Sequence, residues 1–336
     1  MSAQVKLWQA INRALAEELE RDERVFLLGQ DIARGGGTFG VTRGLLARFG
    51  EDRVRDTPIS EQAIVGAAVG AAMMGERPVA EILMMDFLGI ASDQLVNQAA
   101  KQRFFSAGKV DVPVVVRCGI GTQFGMGAQH AQSFESWYSH VPGLTVVWPS
   151  TPRDAKGLLK AAIRFDGPVL FLESLARLTV RGPLGDDADE VLPLGKARTC
   201  IEGDDLTVVT YGAGVTLAEA AATALSEHGI SVEVIDLRTV QPWDTELVLA
   251  SVRKTHRCVV VTEAPRPYGP ATEIASVVAE QAFDDLDAPV TTVTSAFVPA
   301  PQIPRYDAWR VPSPQRIADA ACALLNVDSV TLPPDA

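Results

Sequence analysis

The sequence predicts an α/β protein of two domains, each a mostly parallel sheet flanked by helices. Three observations carry this. Short apolar runs alternate with helical stretches from end to end, which is the pattern of a layered α/β fold. The strand runs are continuous rather than alternating, as in parallel strands covered on both faces. One break, Arg181-Gly-Pro-Leu-Gly-Asp-Asp-Ala-Asp-Glu190, is rich in glycine, proline and acid without periodicity and separates two such sets. The 336 residues match the length prior for about two domains. The expected division is 1–182, a linker at 183–191, and 192–336.

In the first domain strands are expected at 25–28, 79–83, 112–116, 144–147 and 169–172, each a short apolar run. Helices are expected at about 6–20, 60–74, 87–102 and 152–164. The first of these is amphipathic. The second follows Pro58 and opens at Ser60, a residue type whose hydroxyl can cap an orphan backbone N–H. In the second domain strands are expected at 206–211, 231–236, 258–262 and 290–294, with helices near 215–228, 244–254, 271–283 and 313–325.

Composition excludes several functions. A formal charge of −12 argues against a nucleic-acid surface, which needs clustered Lys and Arg, and no basic run exceeds Arg253-Lys254. The longest charge-free apolar run, 63–75, is too short and too rich in Gly and Ala for a membrane span. The N-terminus has neither an apolar signal core nor an Arg/Ser-rich transit segment. The four cysteines form no Cys-x-x-Cys motif and sit among apolar residues, so buried free thiols are expected. These features together predict a cytoplasmic protein.

Candidate chemistry begins at Asp56-Thr-Pro-Ile-Ser-Glu61. From Ala63 to Met74 every residue is apolar or Gly, and a helix apolar all round is a buried helix. Glu61 then stands at the edge of an interior, where a charge needs a partner or a task. An acid in a first turn also complements the helix dipole, and the segment alone supports both readings equally. The loop Cys118-Gly-Ile-Gly-Thr-Gln-Phe-Gly-Met-Gly-Ala-Gln-His130 has glycines that allow close backbone approach to a ligand. Its third glycine falls one position late for a dinucleotide fingerprint. Of the four histidines, His130 and His140 flank an aromatic stretch and are the better general acid–base candidates. His228 and His256 read as structural and exposed. No Gly-x-Ser-x-Gly elbow, Walker loop, His-Glu-x-x-His or Gly-Asp-Gly motif occurs.

Asp-Thr-Pro-Ile-Ser-Glu at 56–61, Asn-Gln-Ala-Ala-Lys at 97–101, Gly-Ala-Gln-His at 127–130 and Pro-Ser-Thr-Pro-Arg-Asp-Ala-Lys-Gly-Leu at 149–158 resemble one group. It is the β chains of thiamine-diphosphate-dependent 2-oxoacid dehydrogenase complexes, of pyruvate, branched-chain and acetoin types. Asp236-Leu-Arg-Thr-Val-Gln-Pro-Trp-Asp244 and Val261-Thr-Glu-Ala-Pro-Arg266 extend the resemblance through nearly the whole chain.

The resemblance implies a pyrimidine-binding domain followed by a transketolase C-terminal-like domain, in an α2β2 heterotetramer. Its α chain carries the Gly-Asp-Gly motif and holds the diphosphate with Mg2+. Glu61 matches the carboxylate that hydrogen-bonds the aminopyrimidine ring nitrogen, a charge-assisted bond that favours the imino tautomer. Leu83 and Phe87 match residues beside the pyrimidine, Phe87 stacking on it. His130 matches the histidine facing thiazolium and substrate, which assists acyl transfer to lipoyl. Val114, Ala162, Ile163, Phe165 and Gly167 match positions whose carbonyls often hold K+. Phe165-Asp-Gly167, Glu173-Ser-Leu-Ala-Arg-Leu178 and Tyr268-Gly-Pro270 depart from the usual pattern. Gly35-Gly-Gly-Thr-Phe-Gly-Val-Thr-Arg-Gly44 and the stretch from Ile82 to Leu88 lean toward the acetoin branch.

The implied activity is decarboxylation of a 2-oxoacid, or cleavage of acetoin, with transfer of the acyl group to a lipoyl domain on an acyltransferase core. Two other functions fit less of the sequence: a complex-free carboligase or decarboxylase subunit, and a non-catalytic scaffold that docks an α chain. Retention of Glu61 and His130 speaks against the scaffold.

Overall fold

Continuous apolar strands form the spine of the first half of the chain. A computed structural model describes residues 4–122, 125–185, 187 and 189–333. In chain order the elements are β1 (Gln4–Lys6), α1 (Leu7–Arg21), β2 (Val25–Gly29), α2 (Leu45–Phe49), β3 (Val54–Asp56), α3 (Glu61–Met73), β4 (Arg77–Ile82), α4 (Met85–Leu88), α5 (Ala100–Phe105), β5 (Val115–Ile120), α6 (Glu135–Ser139), β6 (Thr145–Val147), α7 (Pro152–Arg164), β7 (Val169–Ser174) and β8 (Arg181–Pro183). The second half adds β9 (Arg198–Ile201), β10 (Leu206–Thr210), α8 (Gly214–Ser226), β11 (Val232–Asp236), β12 (Thr239–Gln241), α9 (Thr245–Thr255), β13 (Cys258–Pro265), α10 (Pro270–Gln281), β14 (Thr291–Ser295), α11 (Pro304–Arg310) and α12 (Pro314–Leu325).

Two compact units result. The first runs to Gly121 and resumes over Trp137–Leu194, while the second joins Thr122–Ser136 to the chain from Gly195 onward. Within the first unit the sheet runs β6-β7-β5-β4-β2-β3, and each of these pairings is parallel. β2, β5 and β7 are buried at every residue, as continuous apolar runs covered on both faces should be. The second unit has a sheet in the order β14-β13-β10-β11-β9, parallel except for β9. Val208, Val234 and Val261 from its strands pack with Ala218, Leu225, Ile317 and Ala321 from α8 and α12. Among the described residues no helix is long and apolar enough to cross a membrane.

Three expectations shift. The strand expected at 112–116 begins at Val115, because Val114 N–H bonds Val112 O at 2.8 Å around Pro113, which has no N–H for a ladder. The helix expected at 87–102 breaks into α4, a 3₁₀ turn at Gly89–Ala91, a π segment at Gln94–Ala99, and α5. The segment expected as a linker is docked on the first unit. Its first residues form β8, antiparallel to β1, and Asp189 pairs with Lys160 at 2.7 Å and Arg164 at 2.9 Å. Asp186 and Ala188 of that segment lie outside the described residues.

α1 and α7 pack together through charge as well as apolar contact. Glu18 on α1 is fully buried and takes Arg164 at 2.7 Å and Arg21 at 2.8 Å. Thr151 caps α7, its hydroxyl accepting from Asp154 N–H, with Pro152 at the first helical position.

Candidate active site

The carboxyl ends of parallel strands are where α/β sheets bind ligands, and the first unit concentrates its polar groups there. β3 ends at Asp56, whose carboxylate accepts backbone N–H groups of Ala33 at 2.6 Å and Arg34 at 3.2 Å. Thr57 N–H bonds Gly29 O at 3.0 Å, tying the strand exit to β2. The chain then enters α3 at Glu61. Ser60 holds the N-cap position, but its hydroxyl makes no cap bond, contrary to the expectation.

Glu61 is half-buried and, among the described residues, makes no hydrogen bond or ion pair. The helix behind it is not buried all round. Ile64, Val65, Ala68, Val69 and Ala72 face the core, while Ala63, Ala67, Gly70 and Met73 are exposed. Met74 is 84% and Ile59 73% exposed at the two ends of this open face. The uncharged run is thus a helix with one apolar face exposed rather than a helix buried all round.

Leu83 follows β4 and Phe87 lies on α4, both half-buried in the same unit as Glu61. Gly119 on β5 lets the backbone approach here. A Cβ at Gly119 would sit 2.7 Å from Leu83 O and 2.9 Å from Leu175 Cδ2.

Sequence reading missed the polar cluster beneath Leu83. Arg117 on β5 is buried and donates to both carboxylate oxygens of Glu173 on β7, Nε to Oε1 at 2.7 Å and Nη2 to Oε2 at 3.0 Å. Its Nη1 donates to Glu81 on β4 at 2.7 Å. Burial works against the Arg117 cation, but Glu173 and Glu81 outweigh it and hold the guanidinium above its ordinary value. Burial pushes the Glu173 carboxyl up, against the pull of Arg117. With Leu83, Gly119, Phe39 and Val41, these groups line a cavity of about 10 Å³. That is at the lower limit for one water. The available signal was three charges, each within or directly after a short apolar run.

His130 belongs by its contacts to the second unit, in the segment Thr122–Ser136. It is half-buried, with its N–H on Gly127 O at 3.2 Å. Gln123 and Phe124 of the same loop lie outside the described residues. Two buried acids anchor this loop, and the sequence flagged neither. Asp307, held by Arg310 at 2.8 Å, accepts Gly125 N–H at 3.3 Å. Glu135, fully buried on α6, accepts Tyr211 O–H at 2.9 Å and Ser133 O–H at 2.7 Å. Burial raises the Glu135 carboxyl above its ordinary range, against the opposing pull of Ser133 and Tyr211. His140 is exposed at the end of α6. His228 and His256 are also exposed and bond backbone carbonyls, Ala224 O at 3.1 Å and Asp285 O at 2.8 Å.

At the potassium positions several carbonyls already accept a hydrogen bond. Val114 O accepts Val169 N–H at 2.9 Å, and Ile163 O and Phe165 O accept from Arg77 at 2.9 and 3.2 Å. Among the described residues no three His, Cys, Asp or Glu side chains gather as a metal site.

The two units define a transketolase-type α/β protein. Residues 3–179 match the family described as "Transketolase, pyrimidine binding domain", and residues 195–317 match "Transketolase, C-terminal domain". The chain is 44% identical to "Pyruvate dehydrogenase E1 component subunit beta, mitochondrial" of Caenorhabditis elegans, over 95% of this chain and 92% of that protein. It is 44% identical to "2-oxoisovalerate dehydrogenase subunit beta" of Bacillus subtilis, covering 93% and 95%. It is also 44% identical to "Acetoin:2,6-dichlorophenolindophenol oxidoreductase subunit beta" of Cupriavidus necator, covering 96% and 97%. A solved structure titled "Split gene transketolase, inactive beta4 tetramer" shares the fold at a TM-score of 0.77 and 22% identity, covering 96% of this chain and 99% of that one. The chain belongs to the family of dehydrogenase β subunits built from these two transketolase domains.

Two measurements check the buried groups. Arg117→Met leaves Glu81 and Glu173 without their cation and should lose about 3–5 kcal/mol in denaturant unfolding; a loss under about 1 kcal/mol would remove the cluster's structural role. Glu135 has a folded value above its ordinary 4.5, so the folded state binds its proton more tightly than the unfolded state. Its contribution therefore falls as pH rises from the unfolded value through the folded one. Glu135→Gln should gain stability relative to wild type across that rise and then plateau. A difference that does not change with pH would contradict the assignment.

Proposed function

We propose that this chain is the β subunit of a thiamine-diphosphate-dependent 2-oxoacid or acetoin dehydrogenase component, and that it works only when joined to an α chain. Its substrate would be pyruvate, a branched-chain 2-oxoacid or acetoin. Equal identity to subunits named for all three favours none of them. Acetoin has the added support of the Gly35–Gly44 segment.

The observation that carries this reading is Glu61. It is a carboxylate with no partner among the described residues, at the head of a helix that keeps an apolar face open. The residues of the first unit fit an aminopyrimidine. Glu61 offers an unengaged acceptor, Phe87 a half-buried aromatic face, and Leu83 an apolar side chain at a strand end held close by Gly119. Bound thiamine diphosphate supplies the electron sink for decarboxylation. Glu61 would hold a proton shared with the pyrimidine ring nitrogen, which sets the tautomer of the ring. Covering the open face of α3 would remove water from Glu61 and strengthen that bond. Leu83 and Phe87 would fix the ring's position.

His130 would give or take a proton at the substrate side, during transfer of the acyl group to a lipoyl dithiolane on an acyltransferase core. The diphosphate and Mg2+ would rest on the α chain, because this chain has no Gly-Asp-Gly motif. The compartment proposed is the cytoplasm.

Glu61→Gln keeps the shape and removes the charge. In the reconstituted α2β2 assembly it should lower turnover by about 10²-fold or more, with lipoyl reduction as the assay. Unchanged turnover would remove Glu61 from the chemistry and favour a docking role. The purified chain alone should bind no thiamine diphosphate tightly in calorimetry, and micromolar affinity in isolation would contradict a site shared between two chains.

A further inference from the structure

The carbonyls at the end of α7 already hold a cation, and it belongs to the protein. A helix C-terminus leaves its last carbonyls without intrahelical partners and carries partial negative charge. Such an end favours a cation, whether a bound ion or a side chain. Here Arg77, the first residue of β4, lies against it. Its Nη1 donates to Ile163 O at 2.9 Å and to Phe165 O at 3.2 Å, and its Nη2 donates to Asp166 Oδ1 at 2.5 Å. The Arg77 side chain is only 13% exposed. Its backbone is fixed as well, since Arg77 N–H bonds Arg24 O at 3.0 Å and Arg77 sits in register with Val25 of β2.

Two more of these carbonyls accept hydrogen bonds. Val114 O accepts Val169 N–H at 2.9 Å, and Ala162 O accepts Phe165 N–H at 3.3 Å. The Phe165 ring lies against Gly167, where a Cβ would stand 2.6 Å from Cε1. The aromatic ring at 165 thus occupies the space that a side chain at 167 would need. A planar guanidinium with several fixed donors serves two carbonyls and a carboxylate at once. A second cation among these carbonyls would stand in contact with the first and be repelled by it.

We propose that Arg77 is the resident cation of this site. It neutralises the end of α7, and the protein takes no potassium there. The proposal rests on the first unit alone and stands or falls separately from the role of Glu61.

Thermal unfolding of the full chain in potassium, sodium and tetramethylammonium chloride at matched ionic strength tests it. The wild-type midpoint should show no saturable response selective for potassium, and metal analysis after gel filtration in potassium-free buffer should find none retained. Arg77→Ala should unfold at a lower temperature in all three salts and regain part of the loss selectively in potassium. A saturable, potassium-selective rise in the wild-type midpoint, or about one potassium retained per chain, would overturn the proposal. So would an Arg77→Ala midpoint equal to wild type in every salt. The wild-type measurements decide even where the variant fails to fold.

Discussion

Charge at the edge of an apolar surface is the constraint around which this chain is arranged. α3 keeps one apolar face exposed, and Glu61 stands at its head. In water that acid is comfortable, helped by the helix dipole. Once another surface lies on α3, the same acid loses water and needs a hydrogen-bonding partner. The two features therefore belong together. A surface that closes the helix face also creates the low-dielectric setting in which a single carboxylate can govern the protonation of a bound ring.

In each unit, polar groups, most of them buried, fix the backbone together with apolar packing. Asp56 grips the backbone at 33–34, and Arg117 clamps the ends of three neighbouring strands through Glu81 and Glu173. In the second unit Asp307 and Glu135 hold the two ends of the loop that carries His130. Arg117 is paired with Glu81 and Glu173, and Asp307 with Arg310, so removing one partner there would strand the other in a low-dielectric setting. Such groups favour one backbone arrangement over near alternatives, which a site built from strand ends and loops requires.

The two-domain α/β layering was legible because parallel strands leave an unmistakable trace, continuous apolar runs such as Val-Phe-Leu-Leu and Val-Leu-Phe-Leu. The motif around Glu61 was legible because a lone acid opens an uncharged helix. Other features depend on long-range pairing and left no local trace. β1 and β8 are three residues each and exist only by pairing with one another. The loop at 122–136 groups with the second unit through Asp307 and Tyr211, far away in sequence. Glu81 lies within an expected strand, while Arg117 and Glu173 fall just past the expected ends of theirs, and only the parallel register brings the three together. The open face of α3 was misread as buried because a run with no polar residues has no periodicity to mark which side meets water.

The most direct test of the central claim is a high-resolution structure of the α–β assembly with thiamine diphosphate bound. The account predicts a Glu61 carboxylate oxygen within about 2.6–3.2 Å of a pyrimidine ring nitrogen, with the Ala63, Ala67 and Gly70 face of α3 covered. A Glu61 side chain turned to solvent, or locked in an ion pair away from the ring, would contradict it.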